Sequence, residues 1–304
     1  MKYIVLLAIT CLVPNWLNAQ ARFVKVDSAE LWVNTIGLED RQADQAVLVL
    51  ESGLGTPMGH WDSILDGIAE LAPVVVYDRP GIGQSKPIEE LPTIENVADR
   101  LVRMLRQLEI APPYVLVGHS LGGLYVRGFA NHYPELLAGL VIIDPADFTE
   151  THENKRSYYE VLNWEAAKVD SLIQSFIDKR AAWSTKAPPS IQREGQVLSD
   201  IRAKEFDTII GSKLPNIPVH IITGGRFDLP KRLWSKAYDE EALFRSKMKH
   251  RTQRWITVVQ SVDKGMFLYS GDAGHFVHRD DPELVISSIR MVLQDYDLLR
   301  ADKD

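Results

Sequence analysis

Short apolar runs alternate with helix-like stretches along most of this 304-residue chain, and this alternation restricts the fold more than any other feature. Eight runs are rich in Val, Ile and Leu, and turn residues such as Gly, Pro and Asp flank most of them. They lie at 23–26, 31–35, 46–50, 73–77, 114–117, 140–143, 219–223 and 266–269. Continuous apolar runs are typical of strands buried on both faces. We therefore expect an α/β fold with a mostly parallel central sheet flanked by helices.

One segment, from Ala146 to Leu214, breaks the alternation because it holds no convincing strand. Apolar residues recur there at helical spacing between Val169 and Ile177, which predicts at least one amphipathic helix. We expect a helical insertion over the edge of the sheet, inside a single domain that covers residues 22–304.

The N-terminal segment differs from the rest of the chain. Lys2 precedes an apolar run from Tyr3 to Val13, and a polar stretch follows that ends at Ala21. This order is typical of a secretory signal peptide, and a membrane span would need roughly 20 apolar residues. We expect residues 1–21 to be removed and the mature chain to be secreted or periplasmic, with no stable membrane span. A buried first strand or an interfacial helix is the alternative.

Charge and cysteine content exclude several classes of function. The formal net charge is −7 and no run of basic residues occurs, which argues against a nucleic-acid partner. No zinc-type Cys/His spacing and no H-E-x-x-H motif is present, and we expect neither a metal nor another cofactor. The single cysteine, Cys11, lies in the predicted signal segment, so the mature chain would have no disulfide. The residues before Cys11 fit a lipoprotein signal poorly.

The strongest chemical signal is V-G-H-S-L-G-G, at residues 117–123. It follows a predicted strand and opens a helical run, which is the context that a nucleophile elbow requires. In this turn Gly118 and Gly122 leave space around His119 and Ser120 that a larger side chain would fill. Because a serine hydroxyl becomes a good nucleophile once a base removes its proton, Ser120 is the predicted nucleophile.

The predicted general base is His275, in G-D-A-G-H-F-V-H. It follows the last predicted strand and precedes a helix that Pro282 opens. Gly271 and Gly274 provide a loop that can turn the imidazole over the sheet edge. His278 lies three residues further on, and its charged flanks are typical of a surface residue.

Two aspartates are candidates for the acid that orients the base. Asp228 follows the predicted strand at 219–223, and Asp144 ends the one at 140–143. Both precede His275 and both lie at carboxyl ends of strands, where open α/β sheets place their sites. We favour Asp228 and keep Asp144 as the alternative.

Two backbone N–H groups are candidates for an oxyanion hole. Leu121 directly follows the predicted nucleophile. Leu54 lies between Gly53 and Gly55 in E-S-G-L-G-T-P, after the third predicted strand. The flanking glycines let the backbone approach a substrate closely.

Six motifs in order resemble the α/β-hydrolase superfamily over about residues 22–296. They read L-E-S-G-L-G, Y-D-R-P-G-I-G-Q-S, V-G-H-S-L-G-G, L-V-I-I-D-P, I-I-T-G-G-R-F-D and G-H-F-V-H-R-D-D-P-E. The resemblance implies a carboxylesterase-like serine hydrolase whose insertion, at 146–214, caps the active site. It also implies that Asp78 and Arg79 belong to a structural turn and not to the catalytic set.

Two positions depart from the pattern of this superfamily. Ser52 stands where the family often has His, but backbone donation by Leu54 does not need that side chain. The usual acid lies three residues after a Gly at the end of the seventh strand, which gives Phe227 when counted from Gly224. Only counting from the next glycine gives Asp228, and some members carry the acid after the sixth strand.

The function expected first is hydrolysis of a small or medium uncharged ester through an acyl-enzyme on Ser120. Water activated by His275 would then release the acid. A peptidase, lactonase, thioesterase or perhydrolase would use the same residues. A ligand-binding homologue that has lost turnover is the alternative from a different class. Ser120 counts against dehalogenases and epoxide hydrolases of the superfamily, which use aspartate there.

Overall fold

Eight strands form one sheet in the computed structural model, which describes residues 21–210 and 213–301. They are β1 (Arg22–Val26), β2 (Ala29–Ile36), β3 (Val47–Glu51), β4 (Val74–Tyr77), β5 (Tyr114–His119), β6 (Leu137–Ile143), β7 (Val219–Gly224) and β8 (Gly265–Ser270). Their order is β1-β2-β4-β3-β5-β6-β7-β8. β1 and β2 form an antiparallel hairpin, and β2 pairs antiparallel with β4. The other six strands, β4, β3, β5, β6, β7 and β8, run parallel to one another. The predicted mostly parallel sheet is confirmed.

Helices cover both faces of this sheet. In the described ranges they are α1 (Asp62–Ala69), α2 (Ile94–Gln107), α3 (Leu121–His132), α4 (His152–Arg156), α5 (Ala166–Ser184), α6 (Pro189–Ala203), α7 (Asp207–Ile210), α8 (Glu240–Val259), α9 (Val277–Asp280) and α10 (Pro282–Ala301). Alternate residues of one strand point to opposite faces. Val47 and Val49 therefore join the core that contains α2 and α3, while Leu48 and Leu50 join the core beneath α1 and α10.

The two-sided burial explains why the central strands read as continuous apolar runs, and the two edge strands are exceptions. Every residue of β3, β5 and β6 is buried. In β8 three of the six residues are partly buried and two are exposed, with Tyr269 at 48%, and in β1 Phe23 is 49% exposed. The expectation of burial on both faces is wrong for β1 and β8, because an edge strand has a neighbour on one side only and is covered incompletely.

The pairing register brings the carboxyl ends of the central strands to one edge. Gly118 pairs with Glu51 on one side, and His119 pairs with Ile143 on the other. The loops after β3, β5 and β6 therefore begin side by side, and the neighbouring β7 ends close to them, with Ile222 opposite Ile143. A site built from these loops draws on residues far apart in sequence.

The described part of the segment between β6 and β7 contains helices α4 to α7 and no strand. These residues match the predicted helical cap. Ile177, expected on the buried stripe of α5, is 46% exposed and lines a cavity instead. We refer to the helices α4 to α7 as the cap.

Residues 1–20 lie outside the described residues, so the signal peptide stays a prediction. Across the described ranges, no helix has the length and apolar character that crossing a membrane requires.

Candidate active site

The turn from β5 into α3 holds Ser120 in an unusual backbone conformation. Its φ is 56° and its ψ is −113°, a region that side-chain-bearing residues rarely adopt. The turn is tight enough that a Cβ atom on Gly118 would lie 2.5 Å from the carbonyl oxygen of Gly122, and one on Gly122 would overlap with that of Glu51. Only glycine fits at either position, and the Ser120 hydroxyl is thereby placed at the strand edge.

Three side chains from three loops meet at this turn. His275 Nε2 lies 3.1 Å from Ser120 Oγ, and its Nδ1 lies 2.6 Å from Asp144 Oδ2. With the proton on Nδ1, the imidazole donates to Asp144 and Nε2 accepts from the serine hydroxyl. This is the geometry in which an imidazole removes a proton from serine.

Asp144 directly follows β6 and is the acid that contacts His275. Thr223 donates a hydrogen bond to its Oδ1 at 2.5 Å, and a guanidinium nitrogen of Arg251 lies 3.3 Å from the same oxygen. Burial alone would raise the pKa of Asp144, but the charge of Arg251 and the hydrogen bond from His275 lower it to about 2. The carboxylate is therefore ionised at neutral pH.

Asp228 lines the same cavity as His275 but its carboxylate pairs with another residue, and the preference for it over Asp144 is not supported by the contacts. The Asp228 carboxylate is about half exposed and forms an ion pair with Arg226 Nε at 2.6 Å. The chain after β7 stays paired with the β8 side, through hydrogen bonds from Gly225 and Arg226 to Ser270 and Ala273. Asp228 therefore lies on the β8 side of the site, whereas Asp144 follows β6, the strand directly beside β5.

Two further histidines, His119 and His278, are buried next to the site. His119 contacts the backbone of the base, with Nε2 2.9 Å from the His275 carbonyl oxygen. Burial and the nearby His275 lower the pKa of His119 well below its usual value. His278 is fully buried against Trp61 and His119, so the expectation of a surface residue is wrong. Its charged neighbours point to solvent while the first turn of α9 directs its ring inward.

The loop after β3 comes close to the nucleophile. A Cβ atom on Gly53 would lie 3.4 Å from the Cβ of Ser120 and 3.1 Å from Nδ1 of His119. The backbone of the loop therefore lies beside the Ser120 side chain, as the role predicted for Leu54 requires. Leu121 lies at the start of α3, where backbone N–H groups point out of the helix.

Several residues of the site were not found from the sequence. Thr223 and Arg251 hold Asp144, and Arg79 links the loop after β3 to Glu194 in the cap. Thr223 ends a predicted strand and Arg79 lies in a recognised motif, so the sequence located both residues but did not predict their contacts. Arg251 is one of several basic residues on α8, and nothing in the local sequence separates it from the others.

Two cavities lie near these residues. A cavity of about 680 Å³ lies between the cap and the loop after β3, and its apolar lining includes Leu54, Leu91, Ile177, Leu198 and Phe206. A second, of about 390 Å³, is lined by His275, Asp144 and Arg251 together with the aromatic rings of Phe227 and Phe244. No group of three or more potential metal ligands occurs within 21–210 and 213–301.

Comparison with known proteins gives a match over most of the chain. The model of the alpha/beta hydrolase family matches residues 47–288. A protein of Gibberella zeae described as an AB hydrolase superfamily protein is 20% identical over 304 residues, covering 89% of this chain and 94% of that protein. Among solved structures, a putative lipase from Acinetobacter baumannii has a TM-score of 0.60 at 15% identity and covers 92% of both chains. At that identity the structural likeness bears on the fold alone.

A higher identity occurs over a shorter stretch. The putative carbamate hydrolase RutD of Pantoea ananatis is 39% identical over 108 residues, which are 35% of this chain and 39% of that protein. The chain thus spans about two fifths of the length of the first curated relatives that it matches.

Proposed function

The chain belongs to the alpha/beta hydrolase family, and from this premise we propose that it is a serine hydrolase that cleaves esters through an acyl-enzyme on Ser120. The observation that carries the proposal is the hydrogen-bonded series Ser120 Oγ, His275 and Asp144, with distances of 3.1 and 2.6 Å. Ser120 provides the nucleophilic hydroxyl, His275 the base, and Asp144 the carboxylate that stabilises the protonated base.

In the first half of the reaction, Ser120 Oγ attacks the ester carbonyl carbon and its proton passes to Nε2 of His275. A new C–O bond forms and the carbonyl oxygen becomes an oxyanion, which the N–H groups of Leu121 and Leu54 stabilise. The carboxylate of Asp144 stabilises the imidazolium. The tetrahedral intermediate then collapses, the bond to the alcohol oxygen breaks, and the alcohol leaves with the proton from His275.

In the second half, a water molecule replaces the alcohol. His275 takes a proton from the water as its oxygen attacks the acyl carbon, and the second oxyanion occupies the same hole. Collapse of this intermediate breaks the bond to Ser120 Oγ, which recovers its proton from His275. The carboxylic acid is released and the free enzyme is regenerated.

The lining of the cap cavity supports a substrate whose bulky group is uncharged. Its apolar side chains come from both the loop after β3 and the cap. Two contacts on its wall join lining residues to each other, Lys155 with Glu150 at 3.0 Å and His152 with Glu205 at 2.5 Å, and the lining also includes Arg193 and Arg202. Amides, lactones and thioesters would react through the same steps, as would perhydrolysis with peroxide as the acceptor.

The proposal is tested with a fluorophosphonate probe and a panel of p-nitrophenyl esters graded by acyl length, with p-nitrophenyl carbamates in parallel. Wild-type protein should be labelled at Ser120 and should turn over some esters. Ser120→Ala should lose the label and nearly all turnover while melting at a similar temperature. Labelling of Ser120→Ala, or no labelling and no turnover in the wild type, would refute the proposal. Turnover of carbamates alone would replace the ester by a carbamate as the substrate class.

We also propose that the mature protein is exported, on the basis of the segment from Lys2 to Ala21. N-terminal sequencing of protein from the native host should begin near Gln20 or Arg22. Recovery of an intact Met1 would contradict export by cleavage.

A further inference from the structure

Helix α6 of the cap rests directly on two loops of the sheet edge. Its residue Ile191 lies 2.9 Å from where a Cβ atom on Gly55 would be, and Ser190 fills the corresponding space at Gly81. Both glycines have positive φ, 64° and 73°. The cap and the loop after β3 are therefore in close contact next to the residue predicted to donate to the oxyanion.

Glu194, on the same helix, makes the polar contact between the cap and the loop after β3. It is 2% exposed although it carries a carboxylate. Its Oε2 accepts a hydrogen bond from the backbone N–H of Gly55 at 2.7 Å, and its Oε1 accepts one from Arg79 Nε at 2.7 Å. A buried carboxylate is stable only when such partners satisfy it.

Arg79 connects Glu194 to the backbone of the loop after β3. Its two terminal nitrogens donate to the carbonyl oxygens of Ser52 and Gly53, each at 2.6 Å. In a trans peptide the carbonyl and the N–H point in opposite directions. By holding the Gly53 carbonyl, Arg79 therefore fixes the direction of the N–H of Leu54, which belongs to the same peptide unit.

We propose that Glu194 is a positioning residue: through Arg79 and Gly55 it sets the oxyanion donor at Leu54, so the seating of the cap controls transition-state stabilisation. This inference rests on the proposed function, because it takes the Leu54 N–H as a donor to the reacting oxygen. It assigns a task to the cap beyond shaping the substrate cavity. It also gives Arg79 a positioning role in addition to its place in a turn.

The contact acts through geometry rather than through charge. Glu51 also pairs with Arg79, at 2.6 Å, so two carboxylates face one guanidinium. Burial raises the pKa of Glu51, and the Tyr77 hydroxyl donates to it as well. A negative charge near a developing oxyanion would oppose catalysis. If charge alone mattered, removing that of Glu194 would increase the rate.

Two substitutions separate position from charge, Glu194→Gln and Glu194→Asp. Glutamine keeps the length of the side chain but offers one acceptor oxygen to two donors. Aspartate keeps the charge but is shorter by one methylene and cannot reach both donors. Asp200→Asn is the matched control, because Asp200 is an exposed carboxylate on the same helix. Melting temperatures establish that each variant is folded.

The measurements are kcat and KM with p-nitrophenyl butyrate and the inhibition constant of butyl trifluoromethyl ketone. The ketone forms a bond from Ser120 Oγ to its carbonyl carbon, the serine proton moves to His275, and the ketone oxygen becomes an oxyanion in the hole. Both Glu194 variants should lose about 10-fold or more in kcat, with KM changed by less than about threefold, since a donor to the oxyanion acts in the transition state. Their affinity for the ketone should fall by a similar factor, and Asp200→Asn should match the wild type.

Unchanged kcat and ketone affinity in folded Glu194 variants, with an active wild type, would overturn the positioning role alone. A faster Glu194→Gln, or a fully active Glu194→Asp, would overturn it in favour of a purely electrostatic effect. If one variant does not fold, the other carries the test. Failure of the wild type itself to turn over the ester or bind the ketone would instead refute the proposed function.

Discussion

Asp144 and His275 are 131 residues apart in the chain, yet Oδ2 of the first lies 2.6 Å from Nδ1 of the second. Asp228, in contrast, lies next to the backbone of Gly274 but directs its carboxylate to Arg226. Proximity to the histidine loop therefore does not identify the acid. The direction in which each carboxylate points is the observation that favours Asp144.

We predict that Asp144→Asn lowers kcat by several orders of magnitude, because the amide cannot stabilise the imidazolium and favours the wrong tautomer of His275. Asp228→Asn should change kcat by less than about threefold, since it weakens only a half-exposed ion pair with Arg226. Turnover of both variants is compared at one pH after their melting temperatures are matched. The reverse ranking would restore Asp228 as the acid.

Arg251 should set the pH range of activity through Asp144. Its charge lies 3.3 Å from the carboxylate and partly cancels the field that Asp144 exerts on the imidazole. The other groups facing His275 are Ser120, His119 and His278. In Arg251→Gln the uncompensated carboxylate holds the imidazolium more tightly. Because the neutral imidazole is the base, the acid side of the kcat/KM profile should move to higher pH.

The matched control for this shift is Arg254→Gln, one turn along the same helix face, which pairs with Asp147 instead. Its profile should coincide with that of the wild type. A profile of Arg251→Gln that also coincides would show that Asp144 is not coupled to that guanidinium. The carboxylate itself, with a pKa of about 2, should add no step to the profile above pH 4.

The buried His278 should make the protein less stable in mild acid. Burial lowers its pKa from the usual 6.5 to about 4, aided by the nearby Arg279 and His60. Between these values the unfolded chain binds a proton that the folded chain does not, so the free energy of unfolding falls as the pH decreases from about 6.5 to 4. The contribution of one such group is at most about 1.4 kcal/mol per pH unit.

His278→Phe keeps a ring between Trp61 and His119 but cannot bind a proton. Urea unfolding at pH 7 and pH 5 should show a smaller loss of stability for this variant than for the wild type. His132→Gln, at an exposed position on α3, serves as the control and should retain the wild-type loss. An equal loss in all three proteins would mean that His278 does not contribute.

Local features of the sequence predicted the strands, Ser120 and His275, because each depends on residues close together in the chain. A β-branched run forms a strand wherever the sheet places it, and the glycines around Ser120 define their own turn. The choice between Asp144 and Asp228 depends instead on which strand lies beside β5, which is a property of the assembled sheet. Glu194 contacts Gly55 across 139 residues, and no local pattern marks such a pair.

The backbone of Ser120 leads to a last prediction, about stability. With φ at 56° and ψ at −113°, any residue with a Cβ atom is strained at this position, and glycine is not. Ser120→Ala removes the nucleophile but keeps the strain, whereas Ser120→Gly removes both. Strain of this kind costs of order 1–3 kcal/mol, and the greater freedom of glycine in the unfolded chain offsets part of the gain. We therefore expect Ser120→Gly to be more stable than Ser120→Ala by about 1 kcal/mol, measured by urea unfolding at pH 7, with both variants inactive. Equal stability of the two variants would mean that the turn relaxes without cost when the hydroxyl is absent, and that the observed conformation does not oppose folding.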